Sequence, residues 1–321
     1  MADGSVRVAA GEFGSGSFAN GAGHRDFKLF VPDRYHGQEL PLIVMLHGCT
    51  QNPDDFAAGT RMNTVANEHD CLVLYPQQST AANSSLCWNW FSALDQQRDQ
   101  GEPSIIADLT REIIATYGID RHRIFIAGMS AGGAMALILA VAYPDLYSAV
   151  GVHSGIPYQA ARNVLTAMSV MRRGAEDYVV ISLKDVRVIV FHGGTDKTVN
   201  PLNGEQVILQ LLGTASAHPG KLSTVQTGAT NGRSYDRKTF RDLDGTTVAE
   251  HWSVHKTGHA WSGGSAAGSY ADPSGPNASY EMVRFFLRAP DDAEIHRGLA
   301  RRQGVLRRAL QALKLVPRSA R

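Results

Sequence analysis

The chain has 321 residues, of which 43% are hydrophobic and 19% are charged, so it can build a sizeable core and is not an intrinsically disordered protein. Its formal net charge of +1 gives no support to a nucleic-acid partner. No stretch of the sequence approaches the roughly 18 uninterrupted apolar residues of a transmembrane segment.

The first 23 residues are rich in Gly, Ser and Ala and predict a flexible lead-in over 1–23, with room for a short edge strand. They contain no charged region followed by an apolar region, so they do not resemble a secretory signal. Either the protein is intracellular or a signal was removed from it, and the sequence leaves both interpretations open.

Short apolar segments then recur along the chain, and most of them stop at Gly or Pro. Such segments are typical of parallel strands that are covered on both faces. The predicted strands are 26–31, 42–46, 72–75, 123–127, 186–191 and 248–254.

Helical patterns lie between several of these strands, and they predict helices over 103–118, 131–143 and from Ser279 to Leu287. Alternating strands and helices indicate an α/β fold with a mainly parallel sheet and helices on both faces. We expect one catalytic domain over 24–290.

Two further segments are set apart by their composition. Residues 156–185 are helical in character and lie between two predicted strands, where they could cap a site. Residues 291–321 form a basic tail with leucines at helical spacing, which predicts a solvated helix packed on the domain. A helix that binds a membrane surface or a partner is the alternative.

The sequence Gly128-Met129-Ser130-Ala131-Gly132 connects a predicted strand to a helix of small residues. So tight a turn strains its central residue and requires glycine at the flanking positions. It would present the Ser130 hydroxyl at the carboxyl end of the sheet as a nucleophile, which needs a base. The alternative is a glycine-rich packing turn.

An acid and a base should follow such a serine in the order Ser, Asp or Glu, His. Asp196 fits as the acid because it lies on a loop that leaves the strand 186–191. Asp177 and Asp185 are rivals, but neither follows a buried strand. A capping role in a turn is the structural alternative for Asp196.

His259 is the histidine that fits the base in both order and location. It lies in a glycine-bounded loop after the last predicted strand and before the last helix. His153 comes too early in the order, and His192 ends a strand, where packing or hydrogen bonding is expected. The remaining histidines lie in turns, polar segments or strands.

Acyl transfer also needs two backbone N–H donors for the oxyanion. Ala131, directly after the serine at a helix N-terminus, predicts one of them. The loop after the strand 42–46 predicts the other, with Cys49 first and Thr50 second. The sequence shows no phosphate loop, dinucleotide-binding glycine pattern or metal-ligand cluster, so we expect neither a cofactor nor a metal.

Four motifs together resemble the polyhydroxybutyrate depolymerase family of esterases, which belongs to the α/β-hydrolases and is related to feruloyl and acetylxylan esterases. They are LHGCTQ at 46–51, CWNWF at 87–91, GMSAGG at 128–133 and GHAWSGGS at 258–265. The resemblance covers roughly residues 24–289. It implies an α/β-hydrolase fold with Ser130 as nucleophile, Asp196 as acid and His259 as base.

The resemblance also implies a serine esterase that cleaves hydroxyalkanoate polyesters, their oligomers or short acyl esters. Trp88, Trp90 and Trp261 lie beside the motifs and could form an apolar floor for a polyester chain, or could simply pack in the core. Because the family places the LHGCTQ and CWNWF motifs at the same end of the sheet, we expect a Cys49–Cys87 disulfide. That bond, like the family itself, would favour a secreted or periplasmic location over a cytoplasmic one with three free thiols.

Two other functions remain as alternatives. A feruloyl or acetylxylan esterase would use the same three catalytic residues with a different pocket, which the sequence does not define. A catalytically silent binding protein on a hydrolase fold is the alternative without chemistry, and the intact Ser, Asp and His set argues against it. The oligomeric state is not indicated.

Overall fold

The structure, a computed structural model, describes residues 7–181, 186–212 and 222–288. Its strands are β1 Phe13–Asn20, β2 Gly23–Phe30, β3 Leu40–Leu46, β4 Leu72–Pro76, β5 Ile119–Met129, β6 Ala149–His153, β7 Arg187–Gly193, β8 Leu222–Thr230, β9 Arg233–Arg241, β10 Thr247–Val254, β11 Trp261–Ser262 and β12 Ala271–Asp272. Its helices are α1 Pro53–Thr60, α2 Met62–Glu68, α3 Gly101–Thr116, α4 Ala131–Ala142, α5 Val164–Arg173, α6 Leu202–Leu212 and α7 Ala278–Leu287, with a 3-10 turn at Ala93–Gln96.

Ten of the described strands form one sheet in the order β1-β2-β4-β3-β5-β6-β7-β10-β9-β8. The strands from β4 to β10 in this order pair in parallel, and the two outer strands at each end pair antiparallel. The carboxyl ends of β5, β7 and β10 therefore lie at one edge of the sheet, where ligands of open α/β sheets bind.

Two apolar clusters cover the two faces of the sheet. Alternate residues of β3 enter them, with Val44 in one cluster and Ile43 in the other. Helices α3, α4 and α6 contribute to the first cluster, and α1, α2 and α7 contribute to the second. Because both faces are covered, all seven residues of β3 are buried, which explains its continuous apolar sequence. The predicted α/β fold is confirmed.

Of the expected lead-in 1–23, in which the sequence left room for a short edge strand, the structure describes residues 7–23. Residues 13–20 form a regular edge strand that pairs antiparallel with β2 along its whole length. Part of the expected cap segment 156–185 is helical, as α5, and its residues 182–185 lie outside the described residues. The basic tail at 291–321 also lies outside them. None of the helices that the structure describes is long and apolar enough to span a membrane.

Candidate active site

Ser130 occupies the turn between β5 and α4, with φ of 56° and ψ of −120°. This left-handed φ is unusual for a residue with a side chain and is the strained geometry expected of a nucleophile at such a turn. The Ser130 N–H donates a hydrogen bond to the carbonyl of His153 at the end of the neighbouring strand β6, at 2.9 Å. The turn is thus fixed to the sheet, and its side chain lies at the sheet's carboxyl edge.

The glycines on either side of Ser130 are required for space. A Cβ at Gly132 would overlap the backbone oxygen of Leu46, and a Cβ at Gly128 would overlap the backbone oxygen of Gly132. The predicted collision at both flanking positions is therefore present in the structure. The absence of these two side chains lets α4 start directly against the end of β3.

The loop 47–51 after β3 lies against Ser130. A Cβ at Gly48 would lie 3.6 Å from the Ser130 Cβ. The Thr50 N–H already donates to the carbonyl of Ser85 at 2.7 Å, so Thr50 is a poor second choice as oxyanion donor. Cys49 precedes it in the same turn, and Ala131 is the first residue of α4, where an amide has no acceptor within the helix. Cys49 and Ala131 remain the candidate pair.

Asp196 lies in the loop after β7, with its side chain shielded from solvent. One carboxylate oxygen accepts hydrogen bonds from the backbone N–H groups of Thr198 and Val199, both at 2.9 Å. The other faces the Nδ1 atom of His259 at 2.7 Å. Burial alone would raise the pKa of Asp196, but hydrogen bonds from His192 and His259 outweigh it and hold the pKa well below the ordinary range. Asp196 is therefore an anion at neutral pH.

The rivals of Asp196 differ in their placement. Asp177 is exposed to solvent, and Asp185 lies outside the described residues. His192, at the end of β7, is buried and donates from Nε2 to the carbonyl of Val199 at 2.9 Å. Its Nε2 also lies 3.5 Å from Asp196. These contacts are the packing and hydrogen bonding expected of a histidine at this position.

His259 follows β10, and its loop packs against the end of β7. A Cβ at Gly193 would overlap the backbone oxygens of Thr257 and Gly258, so the two loops are in direct contact. The His259 side chain is 11% exposed, and its Nδ1 is engaged by Asp196, which leaves Nε2 for a proton acceptor role. Although both residues are described, no hydrogen bond joins the Ser130 hydroxyl to His259, so that contact would have to form with substrate bound.

Cys49 and Cys87 are joined by a disulfide, which ties the loop 47–51 to the segment 87–91. Cys71 is a free, buried thiol directly before β4, and burial raises its pKa to about 12. Cys71 is therefore an unreactive, small apolar residue of the core.

The three tryptophans considered for substrate binding lie in the core. Trp88, Trp90 and Trp261 are 0%, 5% and 1% exposed, respectively. Trp261 stacks on His153 at 4.8 Å between ring centroids and donates from its indole N–H to the Ser279 hydroxyl. Their surfaces are covered by protein, so in this structure the three side chains pack in the core and offer no exposed apolar floor.

Sequence reasoning missed the side chains that hold the loop 47–51. Buried His47 donates from Nδ1 to the Gly48 carbonyl and accepts from the Gln78 N–H at Nε2. The Gln51 side chain accepts from the Gly48 N–H at 2.9 Å and donates to the side chain of Asp55 at 3.0 Å. Only their presence in the LHGCTQ motif singled them out.

No group of three His, Cys, Asp or Glu side chains among the described residues could hold a metal ion.

Sequence reasoning also missed Tyr270, which stands beside His259. The two ring centroids are 6.3 Å apart in an edge-to-face arrangement. Tyr270 is 47% exposed, so unlike the tryptophans it presents surface at the site. It lies in a polar loop of small residues, where no periodicity or motif distinguishes it.

The chain is similar in sequence to a depolymerase and to a feruloyl esterase. The chain is 29% identical over 231 residues to poly(3-hydroxyalkanoate) depolymerase C of Paucimonas lemoignei, covering 68% of this chain and 54% of that protein. It is 26% identical over 143 residues to feruloyl esterase B of Talaromyces funiculosus, covering 44% of this chain and 39% of that protein. The chain thus spans about half or less of the length of these curated relatives.

Among solved structures, the acetyl xylan esterase from Aspergillus awamori superimposes with a TM-score of 0.58 at 21% identity, covering 73% of this chain and 89% of that one. This likeness shows that the fold is that of the α/β-hydrolases. The family model described as Esterase PHB depolymerase matches residues 26–220, a range that includes Ser130 and Asp196 and stops before His259. The chain therefore belongs to the Esterase PHB depolymerase family.

Proposed function

We propose that this protein is a serine carboxylic-ester hydrolase that acts through Ser130, His259 and Asp196. The observation that carries the proposal is the 2.7 Å contact between His259 Nδ1 and the buried Asp196 carboxylate, at the sheet edge where Ser130 stands. An oriented imidazole beside a strained serine is the arrangement that activates a hydroxyl group for attack on an ester.

In the proposed reaction, His259 Nε2 accepts the Ser130 proton while Oγ attacks the ester carbonyl carbon. The Cys49 and Ala131 N–H groups stabilise the negative charge on the carbonyl oxygen, and Asp196 stabilises the imidazolium. His259 then gives its proton to the alcohol oxygen as the ester bond breaks. The alcohol departs, and the acyl group stays bonded to Ser130 Oγ. Water then gives a proton to the same imidazole and attacks the acyl carbon. The bond to Ser130 Oγ breaks, Oγ takes the proton back from His259, and the acid is released.

For the substrate we propose poly(3-hydroxybutyrate)-type polyesters, their oligomers or short acyl esters. Family membership and the depolymerase from Paucimonas lemoignei support this choice. A feruloyl or acetylxylan esterase is the second candidate, supported by the feruloyl esterase B relative. The two candidates share all three proposed catalytic residues and differ in the pocket that receives the acyl and alcohol groups.

The test compares wild type with Ser130→Ala on 4-nitrophenyl acetate to laurate, methyl ferulate, acetylated xylan and polyhydroxybutyrate film. Ser223→Ala, on the exposed face of β8, is the matched control. We expect Ser130→Ala to lose about 10⁴-fold or more in kcat/KM with an unchanged thermal melting curve. Activity of Ser130→Ala within about tenfold of wild type would reject the nucleophile, since its loss removes the covalent step.

We further propose that the protein works in an oxidising compartment, secreted or periplasmic. The Cys49–Cys87 disulfide supports this, because structural disulfides persist where thiols are not kept reduced. A protein isolated from cells with both thiols free would contradict it.

A further inference from the structure

Tyr270 spans two sides of the candidate site. It directly precedes β12, and its ring lies 6.3 Å from the His259 ring. Its hydroxyl lies 3.4 Å from the Thr50 hydroxyl, next to the proposed oxyanion donor Cys49. One exposed side chain therefore reaches from the proposed base to the loop that would hold the substrate carbonyl.

The backbone that carries Tyr270 is fixed. Its carbonyl accepts a hydrogen bond from the Trp261 N–H at 2.7 Å. The preceding residue, Ser269, donates its N–H to Asp55 at 2.8 Å, and its carbonyl accepts from the Gln51 side chain at 3.1 Å. The backbone next to Tyr270 is thus held by the same Gln51 side chain that accepts from the Gly48 N–H in the loop 47–51.

The hydrogen bond between Tyr270 and Thr50 is weak. The Thr50 hydroxyl donates its own proton to the Cys49 carbonyl at 2.6 Å, so only the Tyr270 proton can lie between the two hydroxyls. At 3.4 Å this contact is longer than the 2.5–3.0 Å range typical of O–H···O bonds. The phenol can therefore transfer its hydrogen bond to a substrate oxygen at little cost.

We propose that Tyr270 is a specificity-determining residue that donates a hydrogen bond to an oxygen on the acyl part of the substrate. The inference rests on the proposed ester hydrolysis. In this proposal the substrate carbonyl lies between the Cys49 and Ala131 N–H groups and the acyl chain extends past Thr50 and Tyr270, which lie beside that loop. In a 3-hydroxyacyl ester, the carbon two positions beyond that carbonyl carries an oxygen that can accept the phenol proton. A simple acyl ester has no such oxygen.

The experiment measures kcat/KM for ethyl (R)-3-hydroxybutyrate and ethyl butyrate, by acid release, in wild type and Tyr270→Phe. The matched control is Tyr280→Phe, because Tyr280 is similarly exposed at 44% but lies on α7 beside His69. We expect Tyr270→Phe to lower the ratio of the two kcat/KM values, hydroxyester over plain ester, by about threefold to tenfold, as one neutral hydrogen bond would. The ratio in Tyr280→Phe should equal that of wild type.

A second variant, Tyr270→Ala, separates hydrogen bonding from ring packing. If Ala lowers both kcat/KM values equally and Phe leaves their ratio unchanged, the ring only packs and the proposal is overturned. A wild type that is active on both esters, with the same ratio in Tyr270→Phe, overturns this inference and leaves the ester hydrolase standing. A wild type no more active than Ser130→Ala rejects both.

Discussion

Three buried histidines should make the protein unstable in mild acid. Burial lowers the pKa of His47 to about 4 and the pKa values of His153 and His251 to about 3, from the ordinary value of 6.5. Neighbouring positive charge adds to burial at His251, which faces His192 and Lys238. Below pH 6.5 these imidazoles take up protons only when the chain unfolds, so protonation favours the unfolded state.

The size of the effect follows from the number of protons. Each imidazole that is protonated only in the unfolded chain lowers the free energy of unfolding by about 1.4 kcal/mol per pH unit. Three of them give a slope that rises as the pH falls below 6.5 and approaches about 4 kcal/mol per pH unit near pH 5, which is large against a typical total of 5–15 kcal/mol. Their contribution is fully present above pH 6.5 and is lost progressively as the pH falls toward the folded pKa values of about 4 and 3.

Urea unfolding followed by tryptophan fluorescence at several pH values from 4.5 to 7.5 measures this slope. We expect His251→Leu, which removes one titrating group, to reduce the slope by about 1.4 kcal/mol per pH unit. Val190→Ala, at the position paired with His251 on β7, is the control, because it should lower stability without changing the slope. A free energy of unfolding that is flat below pH 6.5, or an unchanged slope in His251→Leu, would refute the reasoning.

Three further predictions concern the site. Alkylation of the unfolded, unreduced protein should label Cys71 alone, and labelling of all three cysteines would contradict the Cys49–Cys87 bond. Reduction of this bond, which joins residues 38 positions apart, should lower the free energy of unfolding by about 3–4 kcal/mol. Gly132→Ala should lower the melting temperature, because its methyl group overlaps backbone. Asp196→Asn should lower kcat by about 10³–10⁴-fold while circular dichroism stays unchanged, and a kcat near wild type would reject the proposed acid.

The sequence predicted the structure best at two kinds of position: where only one residue type fits sterically, and where a continuous apolar segment ends. The tight turn at Ser130 could be predicted from its flanking glycines, because a larger residue at Gly128 or Gly132 would overlap the backbone. Asp196 could be assigned to the loop after β7, because β7 is buried and its apolar sequence ends shortly before this residue. The parallel strands could be predicted for the same reason.

Tertiary packing decided the features that the sequence did not predict. The sequence allowed only a short edge strand in 1–23, because this segment is rich in Gly and Ser. β1 extends over eight residues because β2 offers it a partner and Gly16 leaves room for the ring of Phe27. Strands β8 and β9 are largely polar; the described side chains of β8 are mostly exposed and those of β9 mostly half-buried, so neither strand shows the alternation of apolar and polar residues that predicts a strand. The burial of Trp88 and the exposure of Tyr270 depend on what folds over each ring, and local sequence does not record that.

His47 is a buried histidine that affects stability in acid, and it also holds the proposed oxyanion loop 47–51. Electrostatic stabilisation of an oxyanion requires donors that are fixed before the reaction starts. His47 helps to fix Gly48 only as a neutral imidazole, since its Nε2 must accept from the Gln78 N–H while its Nδ1 donates. A proton on Nε2 would break that bond and place an uncompensated charge in the core. The burial that lowers the pKa of His47 to about 4 therefore keeps the ring neutral, and its bonds to Gly48 and Gln78 intact, at neutral pH and in mild acid.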